Sequence, residues 1–298
     1  MLPPHDLQQL IGQRRHQRAD ELGEGFCRFR ELIGKLGSGE RTSTGLTQAE
    51  ASEAIKSILA GQASPAQAGA FLIAHRLRRP RPEEMAGMLE AYHQMGPTLP
   101  AVECGVVSFG VPFDGRCREA PLLPLTALVL VSAGVGVVLL GGAPMPVKYG
   151  ATNAELLAAL DLPIAQLDWP AMARHFQCHG LALLHQPHHF PAAEQLVPIR
   201  EQIGKRPPIA TLELLWSCYR STALQVSGFV HAPTEELAGA TWKLLGQNEG
   251  LTVKGLEGGV DLPTSRVAVA GHWRTPSAEP ERLLLQARDY GLRAPESE

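Results

Sequence analysis

Arg76, Arg78, Arg79 and Arg81 place four guanidinium groups within six residues, a density that could hold phosphate groups through charge-assisted hydrogen bonds. Arg14, Arg15 and Arg18 could extend such a patch. The plainer reading is a solvated helix end, where the helix dipole also favours positive charge. His175, Cys178 and His179, followed by His185, His188 and His189, carry the imidazole and thiolate groups that suit zinc. The five cysteines, Cys27, Cys104, Cys117, Cys178 and Cys218, show no paired metal-ligand spacing, so reduced thiols in a cytoplasmic protein are the simplest expectation. Cys104 and Cys117 have no histidine partner in the sequence to activate a thiol nucleophile.

These groups sit in a chain of 298 residues that is 44% hydrophobic, enough for one large core or two unequal ones. A formal charge of −3 gives no general affinity for polyanions. The apolar run from Leu122 to Leu140 is broken by Pro124, Gly134 and Gly136, and reads as a buried helix followed by a buried strand rather than a membrane span. Residues Met1 to Leu10 lack the basic start and apolar stretch of a secretory signal.

The first forty or so residues carry Phe26, Phe29, Leu32, Ile33 and Leu36 on one helical stripe, and 37–45 read as a loop. Thr47-x-x-Glu50 predicts a capping box opening a helix that Gly61 stops. Ser64-Pro65-Ala66-Gln67 predicts a second helix running to the arginine cluster, and a third follows Pro82 and closes near Gly96. From Val106 onward, short apolar runs separated by glycines alternate with helical stretches, as in a largely parallel sheet. Strands are expected at 135–140, 181–184 and 251–253, with helices at 152–160 and 234–245. The fold class is therefore α/β, with a small helical N-terminal domain (1–100) packed on a mainly parallel-sheet domain (101–298).

The stretches Leu46-Thr47-Gln48-Ala49-Glu50, Ala60 to Leu72 and Pro82 to Gly87 resemble the helical domain of glycosyltransferase family 3, which includes anthranilate phosphoribosyltransferase. Ala133-Gly134-Val135, Lys148-Tyr149-Gly150, Leu156 to Leu160, Pro198-Ile199-Arg200 with Gly204, and Gly255 to Asp261 continue the likeness in the family's order. The resemblance implies a phosphoribosyl diphosphate and magnesium site between the two domains, a phosphorylated sugar as substrate, and a homodimer formed through the helical domain.

Residue by residue, that site is eroded. The glycine-rich diphosphate loop of active relatives corresponds to Gly110-Val111-Pro112-Phe113-Asp114-Gly115, where Pro112 has no amide hydrogen to donate and Phe113 adds bulk. The polar segment that follows in relatives falls near Pro121 to Pro124. The second phosphate segment aligns with Leu139 to Pro144; its lysine and arginine are absent, although Gly141 remains and Lys148 stands further on. The family's magnesium-binding acidic pair falls at Asp261-Leu262, leaving one carboxylate. Arg200 matches an arginine that contacts the anthranilate carboxylate, with Lys205 and Arg206 just after it; the plainer reading is an exposed basic turn. Ordinary anthranilate phosphoribosyl transfer is therefore not expected, and the leading reading is a non-classical member of the resembled family with residual or altered pentosyl transfer on another substrate, or none at all. The alternative is sequence-independent nucleic-acid binding through Arg76, Arg78, Arg79, Arg81, Lys205 and Arg206, because a divergent branch of the resembled family contains nucleic-acid binders with similarly eroded loops. A continuous basic groove would favour the binder, and a closed pocket around Asp114 and Asp261 the enzyme.

Overall fold

A computed structural model of the chain describes residues 4–39, 41–274 and 279–292; the side chain of Arg15 lies outside the described part. Among the described residues the first elements are helices: α1 (Pro4–Leu22), α2 (Glu24–Gly37), α3 (Gln48–Leu59), α4 (Pro65–Arg78) and α5 (Pro82–Met95). Local chemistry sets where three of them begin. Thr47 Oγ1 accepts from the Glu50 amide while Glu50 accepts from the Thr47 amide, and Ser64 and Gln67 form the same reciprocal pair at α4. Pro65 and Pro82 occupy first-turn positions that need no amide partner. Ile55, Ile58, Phe71, Leu72 and Leu89 are buried together with Phe29 and Leu32 of α2, so these helices pack as one unit.

The rest of the chain alternates strands and helices: β1 (Val106–Gly110), α6 (Leu123–Ser132), β2 (Gly136–Gly141), α7 (Asn153–Ala159), α8 (Trp169–His179) and β3 (Leu181–His185). Four short helices follow, α9 (Gln186–His189), α10 (Pro191–Glu194), α11 (Val197–Ile203) and α12 (Ile209–Leu215). Then come β4 (Leu224–Gly228), α13 (Ala232–Leu244), β5 (Glu249–Val253), β6 (Ala268–Arg274) and β7 (Glu281–Leu285). The Leu122 to Leu140 run becomes α6 and β2, and no helix among the described residues is long and apolar enough to cross a membrane.

The strands form one sheet in the order β3-β2-β1-β4-β5-β6-β7, parallel from β3 through β5 and antiparallel at β6 and β7. Every residue of β2 is buried, as a central parallel strand covered on both faces requires. The chain leaves β1 toward β2 and β3, then returns to β4 and β5 on its other side, so the strand order reverses between β1 and β4. In open sheets of this kind the crevice at the carboxyl ends of the strands beside such a reversal is where ligands bind. The helical unit docks on this part of the molecule through α4 against α11 and α5 against α12 and α13. Tyr92 of α5 meets Phe190 and Trp216 edge-on at centroid distances of 5.3 and 5.4 Å in that joint. Beside α6, an apolar groove of about 740 Å³ runs along Val226, Leu251 and Leu283.

Candidate functional site

Three loops meet at the carboxyl ends of β1, β2 and β5. The first begins at Gly110, where an added β-carbon would come within 1.8 Å of the Leu214 carbonyl, so only glycine fits. Gly115 has φ +73° and lies so close to Gly150 that a β-carbon would approach its carbonyl to 2.3 Å. Its amide donates to the Pro112 carbonyl at 3.2 Å, turning the loop back on itself. Arg116 and Ala151 then exchange backbone hydrogen bonds of 3.1 and 2.8 Å, stitching the first loop to the second. Phe113 points inward and is buried.

Around these loops, cations face carboxylates of the same chain. Arg206 holds buried Asp114 through both carboxylate oxygens at 2.5 and 2.6 Å. Arg116, 6% exposed, pairs with Asp261. Burial pushes the Asp261 carboxyl up while Arg116 pulls it down, and burial wins. Lys148 donates to the carbonyls of Gly115 at 3.3 Å and Glu257 at 3.2 Å, tying the second loop to the first and third, and burial lowers its pKa. Arg200 is not on an exposed turn: it is buried, pairs with Glu213 and donates to Met145 Sδ at 2.9 Å. Burial also raises the pKa of Glu213, against the attraction of Arg200.

Glu257, on the third loop, is the residue that sequence reasoning missed. Its carboxylate accepts the amides of three successive residues, Cys117 at 3.2 Å, Arg118 at 2.7 Å and Glu119 at 3.0 Å. Burial would raise its pKa, but the three amides hold it down to about 2. Gly141 lines what remains of an internal space, a pocket of about 20 Å³ also bounded by Phe113, Arg116, Asn153 and Asp261. That is room for about one water molecule.

Asp261 is the sequence candidate for magnesium, and its surroundings do not fit such an ion. Its carboxylate already faces a guanidinium, and no group of three His, Cys, Asp or Glu suited to a metal occurs among the described residues. The histidine-rich segment holds no such group either. His189 Nδ1 accepts from the His185 amide at 2.9 Å and its Nε2 meets the Leu167 carbonyl at 2.8 Å, so both ring nitrogens serve the backbone. His188 Nδ1 meets the Ala165 carbonyl, and His175 Nδ1 the Leu181 carbonyl, each at 2.9 Å.

The arginine cluster divides. Arg78 pairs with fully buried Glu84, and Arg81 donates to the Leu46 carbonyl at 3.0 Å beside the same carboxylate. Arg76, Arg79 and Arg81 are exposed, and Arg78 is half-buried. Arg76 donates to the Arg206 carbonyl, which joins the end of α4 to the turn after α11, where Lys205 is also exposed.

Residues 30–96 match the family described as "Glycosyl transferase family, helical bundle domain". Anthranilate phosphoribosyltransferase from Chloroflexus aurantiacus is 30% identical over 253 residues, 84% of this chain and 73% of that protein. The enzyme of the same name from Methylobacterium radiotolerans is 29% identical over 276 residues, 90% of this chain and 75% of that one. In three dimensions, anthranilate phosphoribosyltransferase from Saccharomyces cerevisiae in complex with PRPP and Mg has the same fold, with a TM-score of 0.76 at 14% identity, covering 92% of this chain and 76% of that one.

Proposed function

Because the chain belongs to the anthranilate phosphoribosyltransferase family, we propose that it is a member in which ordinary anthranilate phosphoribosyl transfer has been lost. One observation carries this reading: the groups that could meet a diphosphate already have partners within the chain. Arg116, Lys148, Arg200 and Arg206 stand with Asp261, Glu257, Glu213 and Asp114, so four cations and four carboxylates leave no positive surplus. Three amides of the first loop, those of Cys117, Arg118 and Glu119, are taken by Glu257. Phosphoryl and pentosyl transfer depend on donors and cations preorganised toward developing charge, and each missing donor costs roughly 10²–10³ in rate. Two eroded segments together put the expected loss on the order of 10⁴-fold or more.

The Saccharomyces cerevisiae structure is of a complex with PRPP and Mg. In this chain magnesium would have to displace Arg116 from Asp261, and transfer of a pentosyl group to some other acceptor would need the same exchange. The test is product formation from anthranilate and phosphoribosyl diphosphate with magnesium. Background rates are expected, and steady turnover would sink the reading.

A second reading, sequence-independent nucleic-acid binding, is favoured by the contact between Arg76 and Arg206. It sets the exposed end of α4, which carries Arg76 and Arg79, against the turn that carries exposed Lys205, so positive groups from two elements could meet a phosphate backbone. With a chain charge of −3, association is expected to be weak and steeply salt-dependent.

A further inference from the structure

We propose that the backbone of residues 117–119, with Lys148 and Arg116, forms an oxyanion site that Glu257 plugs from within, and that a terminal phosphate group binds there once the Glu257 carboxylate is removed. The inference deepens the reading above, and rests on it, in that the loops are held closed by internal partners.

The geometry is that of an anion nest. Successive amides point at one acceptor only where the backbone is concave, and such concavities bind phosphate oxygens. Here the amides of Cys117, Arg118 and Glu119 converge on a single carboxylate at 2.7–3.2 Å. Lys148 Nζ stands 3.7 Å from Glu257 Oε2 and supplies positive charge beside it. Arg116 adds donors that the carboxylate leaves unused. Its Nε lies 3.9 Å from Glu257 Oε1, and its buried Nε and Nη2 have no hydrogen-bond partner among the described residues. A two-oxygen acceptor cannot reach them all, whereas a tetrahedral anion offers further oxygens in a third direction.

Two further features separate a replaceable plug from ordinary packing. Cys117, Arg118 and Glu119 are exposed, so a solute can reach the amides from solvent. Glu257 itself sits in the left-handed region, at φ 53° and ψ 21°, which residues with a side chain rarely adopt and which here delivers its carboxylate to the nest. Three amides hold that carboxyl charged down to about pH 2 although burial opposes this, so the plug is an anion throughout the ordinary pH range. A tethered anion acts at high effective concentration and masks the site against dilute phosphate in the intact protein.

The experiment compares the intact chain with E257A and E257Q in titrations with inorganic phosphate and with ribose 5-phosphate, each against sodium chloride at equal ionic strength. E257A is expected to bind inorganic phosphate at least about tenfold more tightly than the intact chain and to gain melting temperature with phosphate. E257Q, which keeps an acceptor oxygen but no charge, should fall between them, and adding K148Q to E257A should weaken phosphate about tenfold. Tighter binding of ribose 5-phosphate than of phosphate would assign the site to a sugar phosphate; equal binding would assign it to the phosphate group alone. If E257A folds only in phosphate buffer, that dependence is the expected result in another form. Behaviour of both variants that is the same in phosphate and chloride would overturn the proposal. Turnover of anthranilate by the intact chain would sink the lost-activity reading without touching this site, and indifference of E257A to phosphate would do the reverse.

Discussion

Glu84 in the helical unit and Glu257 among the loops are both held at a pKa of about 2, yet what surrounds them differs in kind. Burial pushes Glu84 up, but His75 and the amides of Leu46 and Arg81 pull it down, with the Arg78 guanidinium alongside. Those partners come from the segment before α3, from α4 and from the start of α5, so one enclosed carboxylate fastens three pieces of chain. Glu257 meets the backbone amides of three exposed residues and the Cys117 thiol, with Lys148 Nζ and Arg116 Nε farther off at 3.7 and 3.9 Å. A carboxylate enclosed by side chains from several elements is a structural joint. One that rests on a solvent-facing nest can be exchanged for another anion.

The largest expected effect tests the joint. E84A leaves Arg78 and the Leu46 amide without their acceptor inside the protein, and breaking a buried pair in this way costs about 3–5 kcal/mol. E257A uncovers amides that water can serve, so it should lose less than E84A. Urea unfolding of the two variants measures the difference directly; equal losses would break the comparison.

A second buried pair sharpens it. R200M alone should destabilise by about 3–5 kcal/mol, because it strands Glu213 in a place where burial already opposes its charge. Replacing both partners, as R200M with E213L, should return stability to near that of the intact chain, since an apolar pair of similar volume removes the desolvation cost along with the attraction. A double variant as unstable as the single one would show that this pair also fastens its surroundings, as Glu84 does.

The pH dependence follows from the same two acids. Each has a folded pKa near 2, below its ordinary value of 4.5, so the unfolded chain binds more protons between those values. Their contribution is therefore complete above about pH 4.5 and is lost as pH falls toward 2. For Glu84 it is roughly 3 kcal/mol. Melting curves from pH 6 to about 3 should fall for the intact chain and fall less steeply for E84A; a matching slope would remove Glu84 as a contributor.

Much of the helical unit was legible because its signals are local. Thr47 with Glu50 and Ser64 with Gln67 sit three residues apart, and the helix starts they predict are the ones that form. The arginine cluster shows the limit of local signals. Glu84, three residues after Arg81, carries a helix-start signal, but the sequence does not show that its carboxylate also takes the Arg78 guanidinium from α4. In the loops, the erosion at Pro112 and Phe113 could be read, but Arg116 with Asp261 and Arg206 with Asp114 are separated by 145 and 92 residues. Only the meeting of strand ends at the sheet reversal brings them together. The amides that hold Glu257 have no letter in the sequence at all; the one available hint was a glutamate set among Gly255, Gly258 and Gly259 in a loop after a strand.

The smallest effect on stability belongs to the exposed rim, and it decides the nucleic-acid reading. Arg78 and Arg81 are unsuitable probes, because their replacement would loosen Glu84 and confuse binding with folding. Arg76, Arg79 and Lys205 are exposed, and changing each to alanine should alter stability by no more than about 0.5 kcal/mol. If the rim meets a phosphate backbone, the triple variant should bind more weakly and its dependence of log affinity on log salt should flatten by about one unit per lost contact. R78A serves as the contrasting control, with a lower melting temperature and little change in salt slope. A triple variant that keeps the slope of the intact chain would move the contact elsewhere on the molecule. The absence of any binding to single-stranded DNA, double-stranded DNA or RNA at low salt would leave the rim as solvated surface, with Arg76 holding the turn after α11 and nothing more.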